Sequence, residues 1–78
     1  MKITLEMLGA MKKPFGQGPV DVEAGKGTTV ERFMVEKLGY DPAHVGLLSY
    51  FIDGEPVKPS TVLKNGSRLK ILMVIGGG

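Results

Sequence analysis

Cysteine is absent, histidine occurs once, and neither sign of charge dominates. Without thiols the chain can build no disulfide framework, thiolate zinc site, iron–sulfur cluster or cysteine nucleophile, which fits an intracellular protein without requiring one. With His44 as the single imidazole, a metal cluster or a Ser-His-Asp relay has no members to draw on. The formal charge of +2 is too small for a tail that coats nucleic acid, and the 42% hydrophobic content is enough for folding. Long apolar runs are missing too. The longest, Ile71 to Ile75, falls far short of the about 20 residues that cross a bilayer. Glu6 interrupts the N-terminal stretch where a signal peptide needs continuous apolar residues. The expectation is a soluble, cytoplasmic protein with no membrane or nucleic-acid partner. At 78 residues there is room for one domain, burying roughly 60% of the surface its unfolded chain exposes.

What is present is alternation. Lys2 to Met7 places Ile3, Leu5 and Met7 on one face and Lys2, Thr4 and Glu6 on the other, the period of a half-buried strand. Leu8 to Gly18, with Gly9, Pro14, Gly16 and Gly18, reads as a loop. Pro19 to Ala24 alternates again, with Val20, Val22 and Ala24 inward, and predicts a hairpin return beside the first strand. Thr28 and Glu31 have capping-box spacing. Val30, Phe33, Met34 and Leu38 then share a helical face and Gly39 can close it, so the spacing predicts a helix over 29–38. Asp41-Pro42 predicts the cap and first position of a short helical turn.

Leu47 to Ile52 predicts a third strand with Leu48, Tyr50 and Ile52 inward and Leu47, Ser49 and Phe51 outward. Asp53-Gly54 turns the chain into a short edge strand limited by Pro56 and Pro59. Ser60 to Leu63 fits one helical turn, and Asn65-Gly66 leads into a last strand, Arg68 to Val74. Asn65-Gly66-Ser67 also matches a glycosylation acceptor, but without export the turn chemistry is the relevant reading. One helix covering one face of a single sheet is most economically achieved with the first and last strands parallel at the centre. The fold class is α+β: a mixed sheet of four to five strands with one main helix packed on one face, a single domain over 1–78 with residues 75–78 as a flexible tail. There is no internal repeat.

Few motifs carry chemistry. Gly25-Lys26-Gly27-Thr28 precedes a helix but lacks phosphate-loop spacing, since Gly27 follows Lys26 where Ser or Thr is needed. His44 reads as a solvated turn residue, and Glu31 and Glu36 as a solvated helix face rather than an acid/base pair. From Lys58 onward Lys58, Lys64, Arg68 and Lys70 stand with no acidic residue among them. That skew suits an acidic partner or phosphate but lacks the density and aromatic interleaving of a nucleic-acid stripe. Two features remain. Phe51, Leu72 and Val74 fall on the sheet face opposite the helix, a cluster that a small domain seldom leaves wet without a partner, although a register shift of one would exchange the faces. Gly76-Gly77-Gly78 end the chain. Having no Cβ, they can lie in a channel too narrow for side chains and present an α-carboxylate to chemistry elsewhere; fraying is the plain alternative.

Gly27-Thr28-Thr29-Val30, Lys37-Leu38-Gly39-Tyr40-Asp41-Pro42, Ile52-Asp53-Gly54-Glu55-Pro56-Val57 and Leu63-Lys64-Asn65-Gly66-Ser67-Arg68-Leu69-Lys70-Ile71, in that order before the terminal glycines, carry a resemblance. The chain resembles the ThiS/MoaD family of sulfur carriers, which share the ubiquitin-like β-grasp fold and end in an activated Gly-Gly. The helix closure and glycine ending look more like ThiS. It differs in its longer 8–18 loop, in Asp53 where Asn is common, and in Asn65-Gly66-Ser67 where the family has Asp-Gly-Asp.

The resemblance implies a protein substrate or carrier, with no catalytic or metal-binding residue of its own and no bound cofactor. A ThiF- or MoeB-like adenylating enzyme would dock on Phe51, Leu72 and Val74, thread Gly76 and Gly77, and use ATP to adenylate Gly78. Sulfur would then displace AMP to leave a thiocarboxylate. The acceptor would be thiazole synthase, for thiamine, or next the large subunit of molybdopterin synthase. The alternatives are a ubiquitin-like modifier conjugated through Gly78 and a non-catalytic β-grasp interaction module.

Overall fold

A computed structural model describes residues 1–9 and 13–73. Val74, Gly76, Gly77 and Gly78, like the tail 75–78, lie outside the described residues. The elements are β1 (Lys2–Gly9), β2 (Val20–Glu23), α1 (Val30–Arg32) continuing into a π-helical segment (Phe33–Lys37), α2 (Pro42–Val45), β3 (Ser49–Ile52), β4 (Glu55–Val57) and β5 (Arg68–Met73). The strands form one five-stranded sheet in the order β2-β1-β5-β3-β4. β1 and β5 run parallel in its middle, from Thr4 opposite Arg68 to Gly9 opposite Met73, and the other pairs are antiparallel.

The alternation works as the sequence predicts. Ile3, Leu5 and Met7 of β1, Val22 of β2, Tyr50 of β3, and Leu69 and Ile71 of β5 are buried. Val30, Phe33, Met34 and Leu38 meet them from the helix in one cluster. Apolar side chains recurring at period two on the sheet and on one helical face are thereby removed from water together, which is the main favourable term in folding. Gly39 closes the helix at φ 75, and Tyr40 N–H donates to Met34 O at 3.0 Å. Asp41 caps α2, its Oδ1 accepting from Ala43 N at 2.9 Å.

Four local expectations are corrected. The helix cap is Thr29 rather than Thr28: Thr29 is extended, forms a bridge with Val62, and accepts from Arg32 N at 3.2 Å. Thr28 donates its hydroxyl to Gly25 O and accepts from Leu63 N at its carbonyl. Starting one residue later puts Arg32, not Glu31, at the third helical position, so the reciprocal half of the capping box is lost. Second, the segment expected as a helical turn at Ser60 to Leu63 is extended at Val62, because its backbone serves the helix start. Thr61 O and Pro59 O accept from Val30 N and Glu31 N, both at 2.9 Å. Third, the helix widens after Arg32, with Leu38 N–H reaching Phe33 O at 3.2 Å. This i→i−5 winding stacks Leu38 beside Phe33 on the sheet-facing side. Fourth, β1 continues through Leu8 and Gly9, where the sequence predicts loop, while β3 begins at Ser49 rather than Leu47. Met7 N–H donates to Gln17 O at 3.0 Å, so the loop itself pairs with β1 beyond β2.

Tyr50 gives the core its one buried phenol. Its hydroxyl donates to Val45 O at 2.6 Å, and burial first, then the nearby Tyr40 and Glu31, push its pKa up to about 12. Burial raises Tyr40 in the same direction. In the unfolded chain a tyrosine releases its proton near pH 10. Between these values the unfolded state holds fewer protons than the folded one, so stability falls as pH rises. Denaturant titrations should show this contribution intact below about pH 10 and lost as the pH passes about 12. Tyr50→Phe should remove most of that alkaline loss and cost about 1 kcal/mol at neutral pH, through the missing hydrogen bond.

Candidate functional site

The sheet face away from the helix carries a groove of about 680 Å³ lined by Leu8, Pro19, Phe51 and Leu72 with Thr4, Glu6, Asp53, Arg68 and Lys70. Period two places these residues there. Phe51 lies opposite Lys70, and Leu72 lies between Ser49 of β3 and Leu8 of β1. Phe51 and Leu72 are half-buried and therefore contactable. The predicted pair is thus brought together, and Val74, the third member, lies outside the described residues.

Sequence reasoning missed Leu8 and Pro19. Leu8 continues the alternation of Thr4 and Glu6 on the outer face, and that period was the available signal; Gly9 directly after it obscured where the strand ends. The groove has an apolar end at Leu8 and Leu72, Phe51 in its middle opposite Lys70, and a polar end at Thr4 and Arg68. Between them Lys70 Nζ stands 3.8 Å from Glu6 Oε1, an exposed pair worth little in stability. Leu47, 67% exposed, precedes β3 in sequence on the same outward parity.

The turns framing the polar end are held by acceptors. Asp53 takes φ 51 and Gly54 φ 85, the positive pair that a tight hairpin turn demands. Asp53 N–H donates to Arg68 O at 3.0 Å while its Oδ1 accepts from Arg68 N at 3.1 Å. An asparagine would supply the same oxygen. Asn65 Oδ1 accepts from Lys2 N at 2.8 Å and Ser67 Oγ from Lys64 N at 3.0 Å. Asp53, Asn65 and Ser67 therefore supply the acceptors these backbone amides need.

Other candidate chemistry finds no support. The amides at the start of α1 are occupied by Thr61 O, Pro59 O and Thr29 Oγ1, so that helix end has no free donors to offer a phosphate. His44 is exposed in α2. Glu36 pairs with Arg32 at 3.1 Å on the solvent side. Among the described residues no three His, Asp or Glu gather as a metal site, and no helix is long and apolar enough to cross a membrane.

A mixed five-stranded sheet with parallel first and last strands and a helix across one face defines a ubiquitin-like β-grasp. The chain is similar to the crystal structure of SAMP1 from Haloferax volcanii, with a TM-score of 0.71 over 100% of both chains and 16% sequence identity. No family model matches the sequence, and no curated protein matches it.

Proposed function

We propose that this protein is a sulfur carrier of the ThiS/MoaD type, a substrate of other enzymes rather than an enzyme. The observation that carries the reading is the junction of two features. The central strand β5 presents Leu72 on an open apolar groove with Phe51 and Leu8, and in sequence that strand is followed within three residues by Gly76-Gly77-Gly78.

A ThiF- or MoeB-like enzyme docks on the groove and binds ATP. A carboxylate oxygen of Gly78 attacks the α-phosphorus, the bond to the bridging oxygen breaks, and pyrophosphate leaves. The resulting acyl-adenylate has AMP as a good leaving group. A sulfur nucleophile from a persulfide or sulfide donor attacks the acyl carbon and AMP departs; with a persulfide, a thiol then reduces the S–S bond. Either route ends in a thiocarboxylate. Because the sulfur comes from outside, a carrier without cysteine is chemically sufficient. Thiazole synthase is the first acceptor proposed and the large subunit of molybdopterin synthase the second.

Reconstitution with each type of adenylating and acceptor enzyme tests the reading. Pyrophosphate exchange dependent on this protein, followed by sulfur delivery to one acceptor, supports it. Adducts on lysines of other proteins would point to a modifier, and neither product to an interaction module. Phe51→Ala should raise KM for activation by at least about tenfold while leaving kcat nearly unchanged, the mark of an aromatic anchor at an interface. An unchanged KM would remove Phe51 from the docking surface.

A further inference from the structure

One wall of the groove is set by an irregularity in the pairing of β1 with the chain that leads into β2. From Lys2 opposite Glu23 to Leu5 opposite Val20 the register is strict. Met1 and Ala24 exchange both backbone bonds, at 2.8 and 2.9 Å, so every second pair does the same and Met7 N–H would next meet Gly18 O. It donates instead to Gln17 O at 3.0 Å. One residue too many therefore stands on the loop side, the mark of a β-bulge, and Gly18 at φ 82 is its left-handed member. A Cβ on Gly18 would overlap the Leu5 carbonyl oxygen and stand 3.2 Å from Val20 N and 3.3 Å from Glu6 Cα. All three obstacles are backbone, so no side-chain rotation relieves them. Gly16 of the same loop has φ 81, yet a Cβ there meets nothing within 4 Å. Bulges re-aim the residues beside them, and the residue after Gly18 is Pro19, which lines the groove with Leu8 and Leu72.

We infer that Pro19 is a docking residue that receives an apolar side chain of the adenylating enzyme, and that Gly18 is its positioning residue, holding it against β1 through the bulge. The inference rests on the carrier reading, which supplies the partner. The chemistry of the occupant follows from what surrounds Pro19. Thr4 Oγ1 donates to Asp21 Oδ1 at 3.0 Å, and Lys70 Nζ stands 3.8 Å from Glu6 Oε1. Proline has no N–H to offer. This wall therefore presents apolar surface whose neighbouring polar groups are already engaged, and Pro19 is exposed and contactable. A side chain at position 18 pushes residues 17–19 off β1, breaks the bond from Met7 to Gln17, and moves Pro19 away from Leu8 and Leu72. Phe51 and Leu72 belong to β3 and β5 and keep their places, so the groove loses one wall and keeps the rest.

The test measures ATP–pyrophosphate exchange by the adenylating enzyme that activates the unaltered chain, with Pro19→Ala, Gly18→Ala, the double variant and Gly16→Ala as substrates, each checked for folding by its amide spectrum. Pro19→Ala should raise KM by about fivefold or more with kcat within about twofold. The ratio should be the same at about 0.1 and about 1 M salt, because an apolar contact is not screened. Gly18→Ala should raise KM by a similar factor and the double variant no further, since a residue that acts through Pro19 has nothing left to move once the ring is gone. Gly16→Ala, which carries the cost of positive φ without the collision, should leave KM unchanged. A scalar coupling from the Met7 amide to the Gln17 carbonyl carbon in the unaltered chain tests the bulge with no substitution at all. An unchanged KM for Pro19→Ala, an effect that vanishes in salt, a double variant that multiplies the two losses, or a coupling to Gly18 instead overturns the inference and leaves the carrier reading standing. If Gly18→Ala does not fold, the coupling and the Pro19→Ala result decide: both as expected support the inference, and the failure of either overturns it. An unaltered chain that no adenylating enzyme activates overturns the carrier reading, and this role with it.

Discussion

In the proposed carrier, removal of Gly78 should abolish adenylation and sulfur loading and leave the stability of the domain unchanged within about 0.5 kcal/mol. The expected loss is complete because the proposed reaction occurs at one carboxylate, and moving that carboxylate back by one residue, about 3.5 Å of extended chain, would take it out of reach of the α-phosphorus. The stability expectation follows from composition: glycine has no side chain to bury, and ordering it costs more backbone entropy than any other residue. Thermal or urea unfolding beside a pyrophosphate-exchange assay checks both halves. A shortened chain that unfolds would make the glycines part of the fold, and one that is still adenylated would move the reactive position elsewhere.

Phe33→Ala has the opposite signature. Phe33 is 1% exposed and faces the sheet with Met34, Leu38, Leu5 and Ile71 in the same cluster. It also supplies the carbonyl that accepts the widened turn from Leu38. Truncating a buried phenylalanine costs about 3–5 kcal/mol, from lost transfer energy and the cavity left behind. A domain of 78 residues has a total stability of about 4–12 kcal/mol, so this one change removes from about a quarter of that stability to all of it. Phe51→Ala removes the same atoms from the other face of the same sheet and should cost less than about 1 kcal/mol, since Phe51 is only half-buried in the free protein. Denaturant midpoints of the two variants separate the core face from the docking face. Equal losses would mean that the sheet has two cores and no free face.

Much of this architecture is legible in the sequence because one physical rule governs it. Ile3, Leu5, Met7, Tyr50, Leu69 and Ile71 each sit on the parity their neighbours predict, and Phe51 and Leu72 follow on the opposite parity without further information. Most of the failures share a cause as well: a partner distant in sequence decides them. Whether Thr28 or Thr29 caps the helix depends on Val62 and Leu63, more than thirty residues away in the chain. The extended conformation of Val62 depends on the same contact, so the two errors are one. The widened winding from Phe33 leaves no trace in the pattern, because Phe33, Met34 and Leu38 suit one face of an ordinary helix equally well. Leu8 escaped notice because glycine marks a loop by default, whereas Gly9 is a strand residue at φ 96 opposite Met73. The proposed reactive group is different again. Gly78 is named by the sequence and its resemblance, and the described residues lead only as far as Met73.

The central claim is that this protein carries sulfur on its C-terminal carboxylate. Intact-mass spectrometry of the full chain, after incubation with its adenylating enzyme, ATP and a sulfur donor, tests it most directly. The predicted result is the exchange of one oxygen for one sulfur, localised to the C-terminal peptide and dependent on ATP. An unchanged mass under conditions where the same enzyme loads its own carrier would contradict the account.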